Sequence, residues 1–314
     1  MGSTMSTPDL AAASAIAAAD VSRGPEFERI RDLRSGSPDS IARAFASRRR
    51  RPLLAGDGRL FIVAADHPAR GALGVGGDTM AMANRYDLLN RLVIALSRPG
   101  VDGVLGTPDI LDDLAILGVL DDKIAVGSMN RGGLRGATFE MDDRYTSYDI
   151  DSLVRSGLDF AKALVRVNLA DAATARTLEQ TSRAVTDAAA ARLPIMLEPF
   201  MSGWVDGRVV NDLSTDAVIT SMAIAAGLGA SSAYSWLKLP VVPDMARVME
   251  ASTLPTLLLG GDPDGTPDET YASWADALKL PGVRGLVVGR TLLYPVDDDV
   301  ATAVDTAARL VHTA

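Results

Sequence analysis

Cysteine is absent from this 314-residue chain, histidine occurs only at His67 and His312, lysine only at Lys123, Lys162, Lys238 and Lys279, and aromatic residues make up just 5%. Each scarcity removes a class of chemistry. Without cysteine there is no disulfide frame, no thiol nucleophile and no thiolate metal site. With His312 two residues from the C-terminus, a His-rich zinc centre is excluded, and a Ser-His-Asp triad would have to use His67. No stretch reaches the roughly 18–20 uncharged apolar residues of a membrane-crossing helix, and residues 11–19 lack the basic flank of a signal peptide. The net charge is −9 with a pI near 4.8, and the arginines are scattered among acids rather than gathered into a stripe. Neither nucleic acid nor a membrane is an expected partner, and the cytoplasm is the expected compartment.

A chain that is 47% hydrophobic can bury a large core. Met1-Gly-Ser-Thr-Met5 reads as a cloning remnant before a second initiator, so residues 1–22 are set aside as remnant and flexible N-terminus. From residue 60 onward, short apolar runs rich in β-branched residues alternate with longer amphipathic stretches. The runs cover residues 60–65, 103–105, 124–126, 161–167, 194–197, 233–239, 256–259 and 285–288, which makes eight. Near-continuous apolar strands are those of a parallel sheet buried on both faces, and the helical patterns at 85–96, 172–192 and 216–226 lie between them. Eight βα units predict a single (β/α)8 TIM barrel over residues 23–314, with an N-terminal helical extension that includes residues 38–47. An open doubly wound sheet is the competing fold. It would hold fewer strands and open on a dinucleotide-type glycine loop, whereas the first strand here runs into Asp66-His-Pro-Ala-Arg-Gly.

In a barrel, residues at the C-terminal ends of strands share one mouth. Reading each strand to its end brings together Asp66 and His67, Lys162 and Arg166, Glu198, Lys238, Gly260-Gly261, and Gly289-Arg290. The two lysines carry the most information. In a chain that uses arginine for nearly every surface cation, Lys162 and Lys238 lie inside apolar strands, and what lysine does that arginine cannot is attack a carbonyl as a free amine. A nearby second cation and desolvation both disfavour the protonated amine. Lys238 is the candidate nucleophile, with Trp236 and Pro240 on its strand face, and Lys162 the neighbouring cation. The bland alternative is that each lysine faces the helices and snorkels to water. Glu198, with Asp66, is a candidate for moving protons, against a purely structural ion pair with Arg208 or a lysine. His67 is read either as a hydrogen-bonding contact to substrate or as a satisfied loop residue. Gly260, Gly261, Gly289 and Arg290 end the last two strands, where barrels bind phosphate, although tight βα turns also account for the glycines. The 128–145 stretch is a long polar loop at the mouth.

These stretches resemble the class I aldolases of the tagatose-bisphosphate, sulfofructose-phosphate and archaeal-type fructose-bisphosphate group. The likeness rests on Asp159-x-x-Lys162-x-Leu164, Leu197-Glu198, Lys238-x-Pro240 and Val288-Gly-Arg290. It implies an imine on Lys238 assisted by Lys162 and Glu198, without metal or other cofactor, and a homo-oligomer. It implies as substrate a phosphorylated ketose or keto-acid that releases dihydroxyacetone phosphate. One member of the group's repertoire is cleavage of 2-deoxy-5-keto-6-phosphogluconate in inositol breakdown, whose carboxylate would call on Arg131, Arg135 or Arg144 of the mouth loop. Beside this lead stand a phosphate-binding barrel isomerase or epimerase with Glu198 as base, a metal-dependent aldolase with Mg²⁺ on Asp66 and Glu198, and a non-catalytic sugar-phosphate-binding barrel.

Overall fold

A computed structural model describes residues 25–54, 56–130, 133–260 and 266–314. Residues 1–22, Arg131 and Gly261 of the sequence reading lie outside the described residues. Two helices come first, α1 (Pro25–Gly36) and α2 (Asp39–Ser47). The strands that follow are β1 (Leu60–Ala64), β2 (Gly103–Gly106), β3 (Ile124–Ser128), β4 (Phe160–Val167), β5 (Ile195–Val205), β6 (Arg208–Asn211), β7 (Ser235–Pro240), β8 (Thr256–Leu259) and β9 (Val283–Val288). Eight of them pair in parallel in the ring β1-β2-β3-β4-β5-β7-β8-β9, closed by β9 against β1, and β6 pairs only with β5, antiparallel. The expected (β/α)8 barrel is the fold.

Helices α3 (Arg85–Ser97), α4 (Pro108–Leu117), α5 (Ile150–Arg155), α6 (Ala173–Ala191), α7 (Thr215–Ala226), α8 (Met245–Glu250), α9 (Pro267–Leu278), α10 (Arg290–Leu293) and α11 (Val300–Thr313) complete the units. Local chemistry sets their starts. Asn84 accepts from the N–H groups of Tyr86 and Asp87 at the head of α3, Ser214 caps α7, and Thr266 with Glu269 forms a capping box on α9.

The two-residue period of each strand divides the core in two. Leu60, Ile62, Ala64, Phe160, Met196, Trp236, Leu257 and Val287 point inward and fill the barrel. Their neighbours Phe61, Val63, Ala161, Ala163, Ile195, Leu197, Leu237 and Leu239 point outward and meet the helices.

The N-terminal extension does two things. Helix α2 packs outside the barrel on α4, while the segment after it crosses the N-terminal ends of the strands. Its arginines reach carboxylates that immediately precede strands: Arg48 and Arg50 both pair with Asp159, at 2.9 and 2.8 Å, and Arg51 pairs with Asp102. Leu53 packs on the inward core.

His312, at the end of α11, fastens the last helix to the same face. Its Nδ1 lies 2.6 Å from Asp57 Oδ2 and its Nε2 2.8 Å from Gly100 O and 3.4 Å from Asp102 Oδ2. Both nitrogens face acceptors, which only the imidazolium satisfies. Hydrogen bonding to Asp102 is the largest cause, and outweighs partial burial, in raising the ring from 6.5 to about 9. The folded protein therefore binds this proton more tightly than the unfolded chain. The stabilisation is complete below about pH 6.5 and is lost as pH rises through about 9. Stability of the wild type against thermal unfolding is expected to fall over that window by about 1–2 kcal/mol after solvent screening, and His312→Gln is expected to flatten the profile.

Candidate active site

The inward rows that pack the barrel continue upward into charge. On β4 the row is Phe160, Lys162, Leu164, Arg166; on β5 Met196, Glu198, Phe200; on β7 Trp236, Lys238, Pro240. The row on β1 ends one step past the strand at Asp66. Because side chains two apart share a face, placing Phe160 and Trp236 in the packed interior forces Lys162 and Lys238 to follow them one step nearer the mouth. The two aromatics meet edge to face, with ring centroids 5.5 Å apart, and form an apolar floor beneath the amines. Neither lysine turns toward the helices.

Four buried charges form a chain across this floor. Lys162 Nζ lies 2.9 Å from Asp66 Oδ2 and 2.7 Å from Glu198 Oε2, and Glu198 Oε1 lies 2.8 Å from Lys238 Nζ. Every one of these side chains is at most 10% exposed. Two ammonium groups and two carboxylates sum to zero, which is what makes their burial tolerable. Burial alone would raise Asp66 and Glu198, but the ammonium of Lys162 and then the other nearby cations outweigh it. Asp66 is driven well below the usual carboxylate range and Glu198 down to about 2. Burial pulls Lys162 the other way from its two carboxylates; the carboxylates prevail and its amine is held protonated more firmly than usual.

Glu198 thus stands between the two lysines, and Arg208 is not its partner. Lys162 is the neighbouring cation, but a carboxylate bridges it to Lys238, and Lys162 has two acidic partners where Lys238 has one.

The chain forms the floor of a cavity of about 1040 Å³. Its lining includes His67, Arg166, Gly260, Gly289 and Arg290, so every described residue read from the strand ends is there. The glycines have a packing reason: a Cβ on Gly260 would come within 2.5 Å of Val288 Cγ1, and one on Gly289 within 2.4 Å of Ala64 O. Arg135 lines the cavity, whereas Arg144 pairs with Asp142 at 2.9 Å and is not among the lining residues. The carboxylate-binding role offered for Arg144 therefore has no geometric basis.

Four charged lining residues, Arg70, Glu140, Arg208 and Glu269, had no place in the cavity by sequence alone. Arg70 sits in the 3-10 turn His67–Arg70 after β1, and Glu140 holds Arg166 at 3.0 Å while accepting the Gly136 N–H at 2.9 Å. Arg208 comes from the β5–β6 hairpin, which prolongs β5 past the residue 197 where the apolar run ends. A signal was present. Asp206-Gly207 between Val205 and Arg208-Val-Val is a two-residue hairpin turn, and both residues have positive φ, 48° and 73°.

Seven arginines and lysines line the cavity against the four carboxylates of Asp66, Glu140, Glu198 and Glu269. The excess is three positive charges in a chain of net charge −9. Such a concavity concentrates anions. Among the described residues, no three histidine, aspartate or glutamate side chains are grouped to hold a metal ion, and the carboxylates of Asp66 and Glu198 are already engaged by Lys162. No helix among the described residues is long and apolar enough to cross a membrane.

A family model described as Cgl0159-like matches residues 58–308. The crystal structure of Cgl0159 from Corynebacterium glutamicum (Brevibacterium flavum) is 71% identical, spans 92% of this chain and 98% of its own, and superposes with a TM-score of 0.90. A Schiff-base-forming fructose-1,6-bisphosphate aldolase (21% identity, 86% of this chain and 99% of that one, TM-score 0.60) and an archaeal fructose 1,6-bisphosphate aldolase (19%, 87% and 100%, 0.61) share the fold. No curated protein matches the sequence.

Proposed function

Starting from the fact that the chain belongs to the Cgl0159-like family, we propose that it is a class I aldolase that cleaves a phosphorylated ketose or keto-acid through an imine on Lys238. The observation that carries this reading is a buried lysine amine, 2.8 Å from Glu198, on an apolar floor at the bottom of a cation-lined cavity. The fold shared with Schiff-base aldolases agrees with it.

Each charge then has a task. Glu198, in hydrogen-bond contact with Lys238, takes a proton from the ammonium, which frees the amine to attack the substrate ketone. The same carboxyl returns a proton to the carbinolamine oxygen, which leaves as water. Lys162, fixed between Asp66 and Glu198, remains charged throughout and holds both carboxylates in place. The iminium then draws in the electron pair of the C–C bond being broken.

The order of strands sets the substrate's length. In the ring, β4 and β9 are four positions apart, diametrically opposed, and β7 lies midway between them. Arg166 on β4 and the Gly289-Arg290 turn after β9 therefore bound the cavity on opposite sides of Lys238. A phosphate beside Gly260, Gly289 and Arg290 and a carboxylate reached by Arg166 would suit an open-chain keto-acid phosphate such as 2-deoxy-5-keto-6-phosphogluconate, with dihydroxyacetone phosphate as the phosphorylated product. Borohydride reduction in the presence of dihydroxyacetone phosphate is expected to add the reduced adduct's mass to the peptide bearing Lys238. A folded protein that gains no mass there would end the imine reading. Glu198, ionised at every working pH, also suits a general base in an isomerase or epimerase, and the Lys238 substitution discussed below separates the two.

A further inference from the structure

The imine assigns work to Lys238, Glu198 and Lys162 but leaves one proton without an acceptor, that of the substrate hydroxyl next to the bond being cleaved. It also leaves one partly buried polar side chain of the cavity without a task. His67 lines the cavity, and its Nδ1 is fully enclosed with no hydrogen-bond partner, 3.6 Å from Asp66 Oδ1. The other oxygen of Asp66 is bonded to Lys162 at 2.9 Å. A shift of the ring by well under 1 Å brings Nδ1–H onto Oδ1 within ordinary hydrogen-bond length. That contact fixes the tautomer, leaving the Nε2 lone pair on the side of the ring that is open to the cavity.

We propose that His67, oriented by Asp66, is a catalytic residue that accepts the proton of the substrate hydroxyl during C–C cleavage. The inference rests on the aldolase reading and assigns a proton which that reading leaves open. In the step, the O–H bond breaks and its proton moves to His67 Nε2 while the carbon it leaves becomes the aldehyde carbonyl. The C–C bonding pair passes to the carbon next to the iminium, giving the enamine on Lys238. The imidazolium later releases its proton to water, and the enamine carbon takes one up from water, so protons and electrons balance.

The electrostatics fit an acceptor that acts only when substrate is bound. Burial is the largest cause holding His67 down to about 3; Asp66 opposes it, and Arg290, Arg70 and Lys238 add to it. An anionic substrate between Arg290 and Arg70 would offset the two arginine contributions, strengthening the base on binding.

Only two histidines exist, and His312 has an acceptor at each nitrogen, so the ¹⁵N-histidine NMR spectrum of the whole protein is resolvable by residue. At neutral pH, His67 is expected to carry its proton on Nδ1, and a proton on Nε2 instead would overturn the proposal. The kinetic test uses dihydroxyacetone phosphate alone and then with D-glyceraldehyde 3-phosphate or malonate semialdehyde. His67→Asn is expected to form the borohydride-trapped adduct at Lys238, and to exchange the carbon-bound proton of dihydroxyacetone phosphate, within about twofold of wild type. Condensation with the aldehyde is expected to fall by roughly 10²- to 10⁴-fold. Condensation within about threefold of wild type would remove His67 from the mechanism and leave the imine intact. Absence of any adduct in the wild type would remove both readings.

Discussion

Lys238→Arg is expected to lower turnover by on the order of 10⁴-fold or more and to abolish the borohydride-trapped adduct, while the protein stays folded. Arginine keeps the positive charge next to Glu198 and so keeps the balance of two cations and two carboxylates that makes the buried chain tolerable. What it lacks is a nitrogen that gives up its proton and bonds to a ketone. The position of the charge decides the outcome. Lys162→Arg also preserves charge, but Lys162 is clamped by two carboxylates, and its expected loss reflects the displacement of Asp66 and Glu198 by a larger head group, with adduct formation slowed but not abolished because Lys238 keeps its amine. Activity that survives Lys238→Arg would instead support an isomerase or epimerase in which Glu198 is the base.

Asp159→Ala is expected to be the most damaging substitution for stability, by roughly 3–5 kcal/mol in chemical denaturation. Its side chain is 5% exposed and accepts from Arg48, Arg50 and the backbone N–H of Ala125. Arg48 is only 2% exposed, so removing Asp159 strands a buried guanidinium whose remaining partners are the carbonyls of Lys123 and Gly157. Asp159→Asn retains an acceptor for the Ala125 N–H and is expected to lose less. In either variant the imine chemistry should persist wherever the protein remains folded, because Asp159 lies at the opposite end of β4 from the mouth. Asp159-x-x-Lys162 therefore joins two unrelated tasks, a fastening below the barrel and a charge at its mouth.

The barrel was legible because buried parallel strands need apolar residues on both faces, and eight such runs stand out against amphipathic helices. The inward direction of Lys162, Glu198 and Lys238 was legible from the same alternation, since Phe160, Met196 and Trp236 two residues earlier belong to the interior. The β5–β6 hairpin was missed for the converse reason. Beyond Met201 the strand leaves its barrel neighbour β4 and pairs only with β6, its burial alternates weakly, and only Asp206-Gly207 marks the turn. The run Arg48-Arg-Arg-Arg51 gave no sign of its role either. Counted among the scattered arginines, these four find their partners only when the fold brings Asp102 and Asp159 beneath them from the starts of β2 and β4.

Sequence alone determined what kinds of group are present and which of them share a strand face, because the two-residue period of a strand needs no reference to distant parts of the chain. It determined that no thiol chemistry is available and that two of four lysines lie in apolar strands. Tertiary structure alone decided which charges meet. Asp66 follows β1 and Lys162, Glu198 and Lys238 lie on β4, β5 and β7, far apart along the chain, and they meet at separations of 2.7 to 2.9 Å that no local pattern encodes. Electrostatic energy in a buried site varies steeply over such distances, so the contrast between a lysine clamped by two carboxylates and one with a single partner arises only when the ring of strands closes.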